Sequence, residues 1–358
     1  MSPALIVRFH PLGPWRIGPD SGARDGVEMV FHSDALFSAV THAMLSLGVL
    51  EEWLAATAGA EGEPAVRLSS LFPAMGETLF VPPPRSLWPP PASPRVRWRN
   101  ARFVPLAVVR DLVSDRLPKD SRWFVDGFSG CLLPGSDQSV SGPFRPALRS
   151  NAAVDRVSSD AVEVHRTACL EFTKGGGFWG LVSFGSEEAK ERWSGPLEAA
   201  FRLLADTGLG GERSAGWGRS AQPEFEYGQL PDLIVPPPAP VAEPVAAPAE
   251  EGEAAPAPPK PPVENGWWLL SLFSPAATEP IDWNRGAYSL VVRGGRVDSP
   301  LSSGALKRSL RMVEEGGVLA SPEPPRGAAP NVAPDGFPHP VYRFGYAVAI
   351  PVPLRGAA

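Results

Sequence analysis

PLEAAFRLLADTGLGGERSAGWGRS, residues 196–220, runs from an apolar-periodic segment into a glycine-rich loop. The first half reads as a helix with Pro196 at its first position and Gly208 just past its end. The strand-like PEFEY, residues 223–227, follows it. A helix that enters a glycine-rich loop and returns as a strand is the closing unit of a ferredoxin-like domain, so the elements before it decide the fold.

Working towards the N-terminus, AVEVHRTACLEF (161–172) and FWGLVSF (178–184) read as two strands around the turn KGGG at 174–177. HSDALFSAVTHAMLSLG (32–48) places Leu36, Phe37, Val40, Met44 and Leu47 at helical spacing, with Ser33 as N-cap, Asp34 at the positive helix end and Gly48 as the stop. ALIVRFHPL (4–12) is a β-branched strand. The order is strand, helix, strand, strand, helix, strand. Residues 105–150 carry many Gly and Pro turns and read as an insertion outside the core.

Beyond the loop, PPPAPVAEPVAAPAEEGEAAPAPPKPPV (236–263) has no aromatic residue and little besides Pro, Ala and Glu. Such composition cannot bury enough apolar area to offset its ordering entropy, so it reads as an extended tether. It divides the chain into residues 1–235 and 264–358, in line with about two domains for 358 residues. In the second segment NGWWLLSLFS (265–274), SLVVRGGRV (289–297) with a Gly294-Gly295 turn, and YRFGYAVAIPV (342–352) read as strands. ALKRSLRMVEEGGVL (305–319) sets Lys307, Arg308 and Arg311 on a short helix or turn. The expected class is α+β, two ferredoxin-like (RRM-like) domains with irregular insertions.

The formal charge is −6, and half of it falls in the tether, where Glu243, Glu250, Glu251 and Glu253 face Lys260 alone. The remainder is near neutral, so local basic clusters can still attract an anionic partner. Arg rather than Lys dominates, which suits phosphate and base contacts, although a GC-rich genome would produce the same bias along with the Ala, Pro and Gly excess. Two distant cysteines, Cys131 and Cys169, make neither a disulfide framework nor a CxxC zinc pair, which points to a reducing cytoplasm. No apolar run reaches the roughly 18 residues of a membrane helix, and the first residues have no secretory pattern.

Five glycines of the loop, Gly208, Gly210, Gly211, Gly216 and Gly218, allow positive φ and close ligand approach, with Arg213, Arg219 and Ser214 beside them. That is the composition of a phosphate cradle. It is not a P-loop, since GK[ST] is missing, and GWGRSA follows a helix instead of a strand, against a dinucleotide fingerprint. Arginines and tryptophan alternate in RVRWRNARF (95–103), and KDSRWF (119–124) holds Lys119, Arg122 and Trp123. Both fit single-stranded RNA, and both fit a solvated edge strand guarded by cations. Of five histidines, His32 at the helix entrance is the best acid–base candidate. No metal-ligand spacing and no HExxH or GxSxG motif occurs.

The ordered set of an N-terminal strand, HSDALFSAV, KRSLRMVEEGGVL (307–319), HPVYRFGYAVAIPV (339–352) and the glycine-rich loop resembles the RAMP superfamily of CRISPR effector subunits, and within it the fourth Csm subunits of type III-A complexes. The resemblance implies a non-catalytic scaffold without cofactor or metal. Such a scaffold holds the crRNA 5′ tag, docks the large polymerase/cyclase-like subunit and a backbone RAMP subunit, and inserts a thumb at the start of the guide–target RNA duplex. The thumb is expected within 95–165. RNA-binding candidates are His32, Ser33, Lys119, Arg122, Asn151, Arg156, Gly210, Gly211, Arg213, Ser214, Gly216 and Arg219. Three alternatives stay open: a metal-independent RAMP endoribonuclease acting through His32, the equivalent tag-binding subunit of a Cmr-type complex, and an unrelated ferredoxin-like protein that binds a small nucleotide.

Overall fold

The computed structural model describes residues 1–59, 62–90, 98–116, 123–135, 140–154, 157, 161–236, 265–299 and 304–354. The tether expected at 236–263 lies outside these residues except for Pro236.

The chain opens with β1 (Ser2–Phe9), α1 (Ser33–Ser46), α2 (Leu50–Ala56), β2 (Val66–Leu68), β3 (Phe72–Met75) and β4 (Thr78–Val81). It continues through β5 (Val104–Pro105), α3 (Leu106–Val113), β6 (Trp123–Val125) and β7 (Leu132–Pro134). A long hairpin of β8 (Phe144–Val154) and β9 (Ala161–Phe172) leads to β10 (Gly176–Phe184), α4 (Glu187–Thr207) and β11 (Glu224–Leu230). The main sheet runs β11-β1-β10-β3-β4-β5, with β2 also on β10. Every one of these pairings is antiparallel. Counting β2 and β3 as one broken strand, β11-β1-β10-β2/β3 is the fourth-first-third-second order of a ferredoxin-like domain.

Both faces of this sheet are covered, which explains why ALIVRF is a continuous apolar run and not an alternating one. Leu5, Val7 and Phe9 face α1 and α4 together with Phe178 and Val182. Ala4 and Ile6 lie in a second core with Trp179, Leu181 and residues from the far end of the chain, Trp268, Val318, Ile350 and Val352.

Those later residues belong to β12 (Asn265–Leu269), β13 (Asp282–Ala287), β14 (Leu290–Arg293), β15 (Leu310–Val313), β16 (Val318–Ala320), β17 (Gly327–Ala328), β18 (Gly345–Tyr346) and β19 (Ala349–Pro353). Four of them form a sheet in the order β13-β16-β12-β19. This repeats the ferredoxin strand order, and among the described residues of 265–354 no α-helix accompanies it. The fold is α+β with two ferredoxin-like sheets. Trp268 Nε1 donates to Pro82 O at 3.1 Å, and Phe344 stacks on Phe37 with centroids 4.3 Å apart. The two segments therefore share one buried interior.

Several local expectations change. β9 pairs with β8 and takes no place in the main sheet; the second ferredoxin strand is β2/β3, two short runs that the Pro-rich surroundings conceal. Residues 105–150 contribute Leu106, Val109, Leu112, Leu132 and Leu133 to the core, so much of the stretch is no surface insertion. Helix α4 begins at Glu187, capped by Ser186 Oγ, which accepts from Ala189 N–H at 3.1 Å, and Pro196 lies inside it. His32 occupies the N-cap position of α1 in place of Ser33, because the Ser33 hydroxyl is engaged elsewhere. Leu310–Val313 is a strand paired with β14, so Arg311 is not helical, and Gly294-Gly295 ends β14 without closing a hairpin on its own. Among the described residues no helix is long and apolar enough to cross a membrane.

Candidate nucleic-acid interface

The glycine-rich loop folds back on itself and on Pro14–Arg16. Gly218 N–H donates to Pro14 O at 3.0 Å, Gly211 N–H to Arg16 O at 2.9 Å, and Leu209 N–H to Gly218 O at 3.0 Å. A Cβ on Gly218 would sit 2.1 Å from Leu209 O, and one on Gly210 2.2 Å from Arg16 O. These glycines thus serve close backbone packing at positive φ. Arg16 secures the seat: its buried guanidinium donates to the carbonyls of Ala23, Arg24 and Ala168 at 2.9, 3.0 and 2.9 Å. A loop of bare amides is therefore not what the sequence builds here.

What faces solvent is the tip. Arg213–Ala215 form one 3-10 turn, flanked by Glu212 and Gly216 in left-handed conformations, and residues 213–216 and Arg219 are exposed. Nothing lies within 4 Å of a Cβ built on Gly216. Arg219 Nε donates to Asp206 O at the end of α4, 3.0 Å away, which holds its guanidinium beside the tip. Arg213, Ser214 and Arg219 are exposed on this loop, while Gly210 and Gly211 pack against the Arg16 backbone.

His32 and Ser33 point inward. The Ser33 hydroxyl accepts from Leu272 N–H at 3.0 Å and Ser33 N–H donates to Ser70 Oγ at 2.8 Å, with the residue fully buried. His32 Nδ1 meets Glu315 Oε1 at 2.8 Å, and Nε2 faces Glu28 at 3.5 Å. Burial by itself would lower the His32 pKa, but the two carboxylates outweigh it and raise it to about 10. The two carboxylates favour the imidazolium form, which offers a donor to each of them. The next residue, Asp34, holds Arg293 and Arg343. All three residues of His32-Ser33-Asp34 thus reach across to residues of the second segment, a role no spacing rule reveals.

Among the described residues the β8–β9 hairpin pairs with no other strand, apart from a single bridge between Leu170 and Trp15, and it overlaps the range 95–165 expected for the thumb. Its base is anchored by Phe144 and Leu170, while Leu148 and Val164 further out are 57% and 62% exposed. Asn151 is exposed and lies opposite His165. Lys119, Arg122, Arg156 and the start of RVRWRNARF lie outside the described residues; Trp98–Asn100 is a 3-10 turn, not a strand.

Residues 263–352 match the CRISPR Csm4 C-terminal domain. A chain of the crystal structure of the Csm3–Csm4 subcomplex of the type III-A CRISPR-Cas interference complex superposes with TM-score 0.61 at 16% identity, over 98% of this chain and 99% of that one. Chains of the Csm1–Csm4 cassette with pppApA and with cA4 give 0.55 and 0.56 at 18% and 17% identity, each covering 99% of this chain and 100% of that one. The chain has the fold of the matched chains in these Csm3–Csm4 and Csm1–Csm4 structures. No curated protein matches the sequence. The Csm4-like match at 263–352 takes in Arg293, Glu315 and Arg343, so the stretches that carry the sequence resemblance meet at the buried contacts of His32 and Asp34.

Proposed function

We propose that the chain is a crRNA-binding scaffold subunit of a type III-A Csm complex, holding the crRNA 5′ tag and docking both the large polymerase/cyclase-like subunit and a backbone RAMP subunit. The observation that carries the reading is the Csm4-like fold over nearly the whole chain, in relatives solved as Csm3–Csm4 and Csm1–Csm4 assemblies. The exposed Arg213, Ser214, Gly216 and Arg219 are its tag-binding residues, with cations on phosphates at a tip that has room for a backbone. Asn151 on the hairpin contacts the guide–target duplex. Lys119, Arg122 and Arg156 belong to the same proposal from sequence alone.

Co-expression with the large and backbone subunits and a crRNA tests it. Wild type co-purifies with both proteins and the RNA. Arg213→Ala plus Arg219→Ala leaves the fold and protein contacts intact and releases crRNA at lower salt. A chain that captures neither subunit overturns the scaffold reading.

Cleavage through His32 has no support in this geometry, because both ring nitrogens are committed to carboxylates. One observation favours a second reading: a groove of about 430 Å³ between α1 and the second segment gathers His42, His339, Lys307 and Tyr342. Burial lowers the Lys307 pKa. Two imidazoles and an amine are the components of metal-independent RNA cleavage. Loss of cleavage of repeat RNA in His42→Ala or His339→Ala would establish it.

A further inference from the structure

A second cleft, of about 670 Å³, opens between the segment entering α1, the prolines after β4 and the turn joining β15 to β16. Three arginines line it: Arg85, Arg99 and Arg102. Arg85 is engaged by Glu314 at 2.7 Å. Arg102 Nη1 finds only the Met29 thioether, at 3.5 Å, and Arg99 has no acidic partner among the described residues. The carboxylates nearby are already taken, Glu315 by His32 and Ser70, and Glu28 by His32 and Arg293. Two guanidiniums therefore line a concave space in which, among the described residues, every carboxylate is paired with another group.

The lining also joins the apolar Trp88, Phe103, Pro82, Pro83 and Pro89 to His32 and the ion-paired carboxylates Glu28, Glu314 and Glu315. Apolar walls with a few convergent charged groups are how planar anionic ligands are held, the fork of an arginine matching a phosphate and ring surfaces receiving a base. The segment entering α1 also packs on the glycine-rich loop. A Cβ on Gly210 would lie 3.8 Å from the Phe31 ring, and the next residue, His32, lines the cleft.

We infer that this cleft binds one nucleotide of single-stranded RNA, with its phosphate on Arg99 and Arg102 and its base against the Trp88 and proline wall. The inference rests on the RNA-binding reading above and adds a second subsite to it.

The test uses the full chain and a 4-thiouridine-substituted RNA of about ten nucleotides, within the length a single groove tracks. Ultraviolet cross-linking attaches the RNA to the peptide holding Trp88 or Phe103. Arg99→Ala plus Arg102→Ala abolishes that cross-link, weakens binding about tenfold and lowers the salt slope by roughly 0.7 per lost phosphate contact. Unfolding is unchanged, since both side chains are exposed. Arg213→Ala plus Arg219→Ala weakens affinity but keeps the cross-link at saturating RNA. Wild-type binding with no cleft cross-link and an unaffected Arg99/Arg102 variant overturns the cleft and leaves the RNA reading standing. A chain that binds no RNA overturns both. An Arg99/Arg102 variant that keeps RNA but loses a protein subunit overturns the cleft in favour of a protein contact.

Discussion

The Asp34 carboxylate is gripped bidentately by Arg293, with Nε on Oδ2 and Nη2 on Oδ1, each at 3.1 Å. The two residues are 259 positions apart and both are buried. Arg343 adds a second guanidinium on Oδ2. Burial alone would raise the Asp34 pKa, but the two arginines hold it well below the usual carboxylate range. Removing one partner of such a pair strands the other charge in the interior. Asp34→Asn is expected to cost about 3–5 kcal/mol, read by denaturant unfolding. Asp20→Asn, at the open edge of the same cluster, costs about 1 kcal/mol or less, as partly exposed pairs do. Equal small effects would show that the two segments are held together by apolar packing alone.

The same contact region sets a pH dependence with opposite signs at its two ends. His32 is raised from 6.5 to about 10, so its contribution is complete below about pH 6.5 and is lost as pH rises through about 10. Asp34 and Glu315 are lowered, so theirs is present above about pH 4 and disappears as pH falls through their folded values. Melting temperature measured from pH 4 to 10 should peak near pH 5–6.5 and decline on the alkaline side. His32→Gln combined with Glu315→Gln should flatten the alkaline limb. A persistent decline between pH 7 and 10 in that variant would assign it to other groups.

Gly216 and Gly218 share φ of +80°, yet their surroundings differ. At Gly216 a methyl group meets nothing, so Gly216→Ala costs only the left-handed backbone term, about 1–2 kcal/mol. At Gly218 it would collide with the Leu209 carbonyl and amide, so the loop must open. Gly218→Ala should lose several kcal/mol more and soluble yield with it, by the same denaturation assay. Similar losses in both would mean that the loop relaxes freely.

How much could be read before the structure follows from which forces are local. Helix α1 shows itself because Leu36, Phe37, Val40 and Met44 repeat at its own period, and all four are buried. The glycine-rich loop announces positive φ, and four of its glycines have it. Its composition could not tell amides offered to a ligand from amides engaged with Pro14 and Arg16, because that depends on a segment some 200 positions away. The roles of His32, Ser33 and Asp34 were hidden for the same reason. Their partners Glu315, Leu272 and Arg293 lie beyond the tether, where a buried arginine and a surface arginine look alike. β2 and β3 escaped notice since three- and four-residue strands carry too few positions for a period.

The β8–β9 hairpin divides into a rooted half and a free half, and the division predicts what can be removed. Near its base, Phe144 packs on the rings of Phe172 and Phe178, and Leu170 exchanges backbone hydrogen bonds with Trp15 at 2.8 and 3.1 Å. Ala168 N–H is taken by Arg24 O at 2.7 Å. Beyond that rung the side chains are open: Leu148, Ser150, Asn151 and Val164 face solvent, and two-stranded ribbons gain little stability from pairing alone. Replacing residues 150–166 by a short Asn-Gly turn should therefore shift the melting temperature by no more than a few degrees. Cutting back to Phe144 and Phe172 should remove the Trp15 and Arg24 contacts and destabilise the whole first segment. If the hairpin is the thumb, the shorter variant keeps crRNA and its partner subunits while target-duplex binding changes. A shortened hairpin that unfolds the protein would show that its outer half packs where the exposed Leu148 and Val164 say it does not.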